Sequence, residues 1–166
     1  MDSKTVFNLL GNQKVAAVLD AQGFQYHGAF WIAELAIHSN SYSKRILIDT
    51  ASLKRGRYET KLHGLKAKTK SVYKQQDVPA IVRIWCDFVG VDGDNLLAIK
   101  NNQLAKLLDS ANIAFTSLDR VECPTVAQLS DSYHEIQNCP DHSIATFRCA
   151  HSKAQKFFRW LKALKL

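Results

Sequence analysis

Residues 15–37 read VAAVLDAQGFQYHGAFWIAELAI, two apolar runs around a polar centre. The first run, 15–20, ends on Asp20, Gly23 supplies the punctuation, and 29–37 is again dense in apolar side chains. That pattern predicts two paired strands. Residues 45–50 (RILIDT) are short and β-branched, and predict a third strand of the same meander.

Beyond the meander the pattern changes. Residues 53–74 show little apolar periodicity and predict a long, partly helical connection. Pro79 suits the first turn of a helix, and Ile81, Val82, Ile84, Trp85, Phe88 and Val89 follow at helical spacing. The turn at 91–94 (VDGD) ends that helix before a strand at 95–100. Asn101 can cap a further helix carrying Leu104, Leu107 and Leu108, and 113–118 predicts the last strand. Thr125 can cap a short turn through Val126 and Leu129. From Ser152 onward, Ala154, Phe157, Phe158, Leu161 and Leu164 recur at offsets of three and four and predict a final helix that docks by this stripe, with Lys153, Lys156 and Lys162 outward. Trp160 reads as core more readily than as a base-stacking platform. A three-stranded meander followed by alternating helices and strands predicts an α/β fold with an RNase H-like mixed sheet.

At 166 residues, with no internal repeat and no Pro/Gly/Ser linker, the sequence predicts one domain over 1–166. Its composition, 46% hydrophobic and 22% charged with 7 Gly and 3 Pro, excludes a disordered or collagen-like chain. No apolar run approaches the roughly 20 residues of a membrane span. The opening stretch lacks the basic start and apolar core of a signal peptide, so an intracellular protein of cytoplasm or nucleus is expected. The four cysteines are too few to staple a secreted scaffold of this length, and three of them lie in the last third beside histidines, which favours a metal over disulfides.

The formal net charge is +7, and the excess is unevenly placed. Ten basic residues fall in 44–74 against Asp49 and Glu59, and six more in 148–166 with no acid, which points to a polyanionic partner. Arg55, Arg57, Lys61, Lys66, Lys68 and Lys70 in the first block, and Lys153 and Lys156 in the second, are the candidate nucleic-acid contacts.

The most specific local feature is Cys139-Pro-Asp-His142 followed by Cys149. A thiolate and an imidazole so spaced can close on one tetrahedral ion, with a second thiolate returning from a loop. A structural site needs a fourth ligand, and Glu34, His151, Cys123 and His134 are the candidates. Glu34 lies in an apolar strand on a face with Ile32 and Ala36, where a metal or a cationic partner would offset the cost of burying a carboxylate. A second possible site is Asp20 with Gln22. Two-metal nucleases hold their ions with clustered carboxylates, commonly opening with Asp-x-Glu, and here the second acid is an amide.

With these residues in view, the chain resembles a Maelstrom-type domain, an RNase H-like fold derived from DnaQ exonucleases in which a Glu-Cys-His-Cys zinc site replaces the acidic magnesium site. The matching pieces are Glu34 in WIAELAI, Cys139 and His142 in NCPDH, and Cys149 in RCAHSK. It is also similar to uncharacterised insect proteins that open with Asp-x-Gln-Gly-Phe, here Asp20, Gln22, Gly23 and Phe24. Their later elements match Glu34-Leu35-Ala36, His63-Gly64-Leu65, Cys123-Pro124 and the stretch 139–150. The resemblance spans about residues 15–162, and departs where the family shows Lys-Gly and this chain has Lys100-Asn101.

It implies zinc held by Glu34 together with Cys139, His142 and Cys149 of a segment at about 139–151, and binding of single-stranded RNA in an insect or insect-virus setting. It admits weak metal-independent RNA cleavage without identifying a nucleophile or base. A magnesium-dependent 3′–5′ exonuclease and a non-catalytic protein-interaction module are the alternative functions.

Overall fold

The computed structural model describes residues 2–50, 73–130 and 149–164. Five strands form one mixed sheet: β1 (Lys14–Tyr26), β2 (Ala29–Ser39), β3 (Ser43–Leu47), β4 (Asn95–Ile99) and β5 (Thr116–Ser117), in the order β3-β2-β1-β4-β5. β1 pairs antiparallel with β2 and parallel with β4, β3 is antiparallel to β2, and β5 is parallel to β4. The α-helices among the described residues are α1 (Ser3–Leu9), α2 (Val78–Val89), α3 (Gln103–Ser110), α4 (Val126–Ser130) and α5 (Ala150–Ala163). No helix among the described residues is long and apolar enough to cross a membrane.

Both faces of the sheet are covered, which is why β1 reads as a nearly unbroken apolar run. On one face Leu19, Leu35, Ile37 and Leu97 pack with Val82 and Trp85 of α2 and Leu104 and Leu108 of α3. On the other, Val18 and Ala98 meet Phe157, Phe158 and Leu161 of α5, joined by Val6 of α1 and by Leu118 and Val121. Each such aliphatic or aromatic side chain contributes about 1.5–3 kcal/mol when fully buried.

The β1–β2 hairpin is longer than the sequence suggests. β1 runs past Gly23 to Tyr26, and the chain reverses at His27 and Gly28, whose φ values of 50° and 77° suit a two-residue turn matched to the strand twist. Gly23 marks a bulge instead of a turn. The register steps from Gln22 opposite Glu34 to Gly23 opposite Ile32, leaving Ala33 extra. A Cβ on Gly23 would stand 1.9 Å from the Trp31 carbonyl oxygen, so the backbones approach here as only glycine allows. The bulge also corrects half of the predicted face of Glu34: Glu34 keeps its face with Ala36, opposite Gln22 and Asp20 and toward α5, whereas Ile32 packs with Leu35 and Ile37 toward α2.

Other departures are local. α1, absent from the sequence reading, is capped by Asp2, whose Oδ1 accepts the Thr5 N–H at 2.8 Å, and is anchored by the fully buried Val6. β3 ends at Leu47 because the Ile48 N–H turns to the Ala33 carbonyl at the bulge, while Ile48 bridges to Tyr73. β5 is cut to two residues by a 3-10 turn over Leu118–Val121, capped by the Ser117 hydroxyl. Ile84 and Phe88 of α2 are 53% and 63% exposed, and Phe88 lies against Tyr42 with ring centroids 5.4 Å apart. The predicted connection at 53–74 falls outside the described residues save for its last two positions.

Candidate functional site

Two strands and one helix build a buried polar cluster. β1 contributes Asp20 and Gln22, β2 contributes Glu34 opposite Gln22, and α5 contributes Cys149 at its N-cap and Lys153 in its first turn. The three side chains from the sheet are at most 2% exposed. Alternation along β1 sends Leu19 and Ala21 into the α2 side of the core, and so sends Asp20 and Gln22 to the α5 side.

Asp20 Oδ1 accepts its neighbour's amide, Ala21 N–H, at 2.7 Å, and Oδ2 lies 3.4 Å from Lys153 Nζ. That ammonium also donates to the Ala21 carbonyl at 3.2 Å, where Asn101 Nδ2 donates at 3.2 Å as well. Burial raises the Asp20 pKa, opposed by the Lys153 charge and the Ala21 N–H and reinforced by the charge of Glu34. Both polar atoms of the Gln22 amide are buried without a hydrogen bond.

Glu34 has a cationic partner. Arg45 on β3 reaches Glu34 Oε2 with Nε at 2.6 Å and Nη2 at 2.5 Å, and Oε1 accepts the Ala150 N–H at 2.6 Å. The carboxylate therefore ties the start of α5 to β2 and β3. Cys149 Sγ stands 4.0 Å from Glu34 Oε2. A thiolate and a carboxylate sharing one tetrahedral zinc would stand about 3.5 Å apart, so these two groups converge on the right scale, with Arg45 on the same oxygen.

Cys139 and His142, the other predicted ligands, lie outside the described residues, as does His134. Among the described residues no three metal-capable side chains converge. Of the remaining fourth-ligand candidates, Cys123 is buried in the cluster under α5, donates to the Pro124 carbonyl at 3.6 Å, and has its thiol pushed up to about 12 by burial. His151 sits closer to the centre. Its Nε2 is 2.7 Å from Ser43 Oγ, which is 3.1 Å from His38 Nδ1, and burial lowers the pKa of both rings, His38 to about 4.

The basic residues Arg55, Arg57, Lys61, Lys66, Lys68 and Lys70 lie outside the described residues. The two on α5 are described, and neither projects freely. Lys153 is paired with Asp20, and Lys156, predicted outward, is only 4% exposed. The sequence carried a signal for this: Lys153 falls between Ala150 and Phe157 at offsets of three and four, and Lys156 follows Ser152 in the same way, all on the buried side of α5. Trp160 packs against the core, as its core reading expects. Set against models of known protein families and against curated protein sequences, the chain matches none.

Proposed function

We propose that the protein is a zinc-stabilised binder of single-stranded nucleic acid, RNA in preference to DNA, built on an RNase H-like, DnaQ exonuclease-type fold whose two-metal centre is degenerate. The observation that carries this reading is the Lys153 ammonium 3.4 Å from Asp20, with the Gln22 amide beside it. A two-metal nuclease needs clustered carboxylates at such a point. Here the two buried acids, Asp20 and Glu34, each face an internal cation, Lys153 and Arg45. The strand order β3-β2-β1-β4-β5, with only β2 running against the rest, supports the RNase H-like layout.

The donor set Glu34, Cys139, His142 and Cys149 would hold the zinc, whose contribution is structural: it would fix the start of α5 against β2. The excess of basic residues, +7 overall, supports a polyanionic ligand. The test is a salt titration of single-stranded RNA binding by fluorescence anisotropy. Log affinity should fall with log salt by about 0.7 per neutralised phosphate, and replacing Lys66, Lys68 and Lys70 with Ala should flatten that slope. Robust magnesium-dependent 3′–5′ trimming would instead promote an active exonuclease. Absence of binding even at low salt would leave the protein-interaction module as the better account. Elemental analysis of chelator-free protein tests the metal: about one zinc per chain is expected, and none would end the zinc part of the reading.

A further inference from the structure

A recess of about 700 Å³ opens on the face of the sheet opposite α5, between the tip of the β1–β2 hairpin and helices α2 and α3. That volume is within the range of small-molecule sites. Phe30, Ile32, Pro79 and Leu107 give it an apolar floor. Across the mouth, Gln25 Nε2 donates to Gln103 Oε1 at 2.7 Å, so two side-chain amides are held in one orientation with one acceptor and further N–H groups still available. Arg83 and Lys106 line the same recess, and none of its lining residues is acidic. Arg83 is fixed by donating to the Ala111 carbonyl. Lys106 is exposed on α3.

An aromatic and apolar floor, a pair of oriented amides and two cations without an opposing acid match a flat heteroaromatic ring carrying a phosphate. We infer that this recess binds a nucleotide, its base against Phe30 and Pro79 with its edge toward Gln25 and Gln103, and its phosphate toward Arg83 and Lys106. The site is separate from the Asp20 cluster, which faces α5, and it does not depend on the zinc or on the RNA-binding reading. A free mononucleotide and the terminal nucleotide of a strand share this chemistry.

The test is titration of the full chain with UMP, followed by the side-chain amide signals of Gln25 and Gln103 in nitrogen–proton correlation spectra. Those signals should shift and saturate, whereas uridine or inorganic phosphate alone should bind at least about tenfold more weakly, each lacking half of the recognition. Lys106→Glu should weaken UMP by about tenfold or more while leaving uridine unchanged, and Ser110→Trp, which fills the recess from an exposed position, should abolish both. Competition of UMP by a 5′-phosphorylated RNA oligomer would identify the strand end as the ligand, and its absence would identify the free nucleotide. Unmoved Gln25 and Gln103 signals at about 5 mM UMP, or equal UMP affinity in Lys106→Glu, would overturn the assignment. Loss of UMP binding in Ser110→Trp with RNA affinity intact would separate this site from the basic blocks.

Discussion

Replacing Lys153 with Met keeps the side-chain stem and removes the cation that faces Asp20. At 3.4 Å the pair attracts by about 5 kcal/mol at an effective dielectric constant of about 20, and breaking a buried pair typically costs about 3–5 kcal/mol because the surviving charge is stranded. Protonation of Asp20 sets a ceiling on that loss. Taking up a proton at pH 7 against an unfolded value of 3.8 costs about 4 kcal/mol, and this ceiling shrinks by about 1.4 kcal/mol for each pH unit toward acid.

The sign follows from the direction of the shift. An acid whose folded pKa is raised binds more protons folded than unfolded, so its penalty grows above 3.8 and is relieved as pH falls back toward 3.8. Lys153→Met should therefore melt about 6–16 °C below the parent at neutral pH, with the gap narrowing at about pH 5. The double variant Asp20→Asn with Lys153→Met should recover most of the loss. Thermal melts of the three proteins at both pH values decide the matter: a single variant as stable as the parent at neutral pH, or a deficit that widens toward acid, would refute an uncompensated Asp20.

Gly23→Ala drives a methyl group into the Trp31 carbonyl at 1.9 Å, a backbone atom that cannot swing aside, and should lower stability by about 1–3 kcal/mol in a urea titration. An unchanged midpoint would mean that the bulge at Ala33 relaxes freely. Burial, with the charges of His151 and Arg159, holds His38 neutral down to about pH 4 against an unfolded value of 6.5, so its contribution to stability is present above about 6.5 and is lost progressively as pH falls to about 4. His38→Gln should flatten the acid limb of the stability profile over that window, and an unaltered limb would exclude His38 as its source. Phe157→Ala, at a side chain only 2% exposed beneath α5, should cost about 3–5 kcal/mol, and a loss under about 1 kcal/mol would show that α5 adds little to the fold.

Much of the architecture is legible because its signals are local. The apolar runs at 15–20 and 29–37, Pro79 ahead of Val82 and Trp85, and the stripe from Ala154 to Leu161 each state their own periodicity. The bulge at Ala33 has no such signature, because it arises from the approach of Gly23 to Trp31 across two strands, and it takes Ile32 off the face that Glu34 shares with Ala36. The buried cluster is half legible. Asp20, Gln22, Glu34 and Cys149 stand out as polar groups in apolar company, but their counter-ions do not. A lysine or arginine in a basic segment looks like solvent-facing charge, and only the assembled fold brings Arg45 to Glu34 and Lys153 to Asp20.

The place of β1 at the centre of the sheet also dictates an order of assembly. Its pairing with β2 closes through a two-residue turn, whereas its other edge must wait for β4, with Lys14 set beside Asn95, and its faces wait for α2, α3 and α5. Loop-closure entropy makes the hairpin the early event and the later dockings the slow ones. During synthesis the long apolar strand therefore emerges with one edge unpaired and both faces bare until α2, β4, α3 and α5 arrive, which makes β1 the site where nascent chains would stick to one another. Substitutions at Ile37 should accordingly slow folding, whereas those at Leu97 and Phe157 should chiefly speed unfolding.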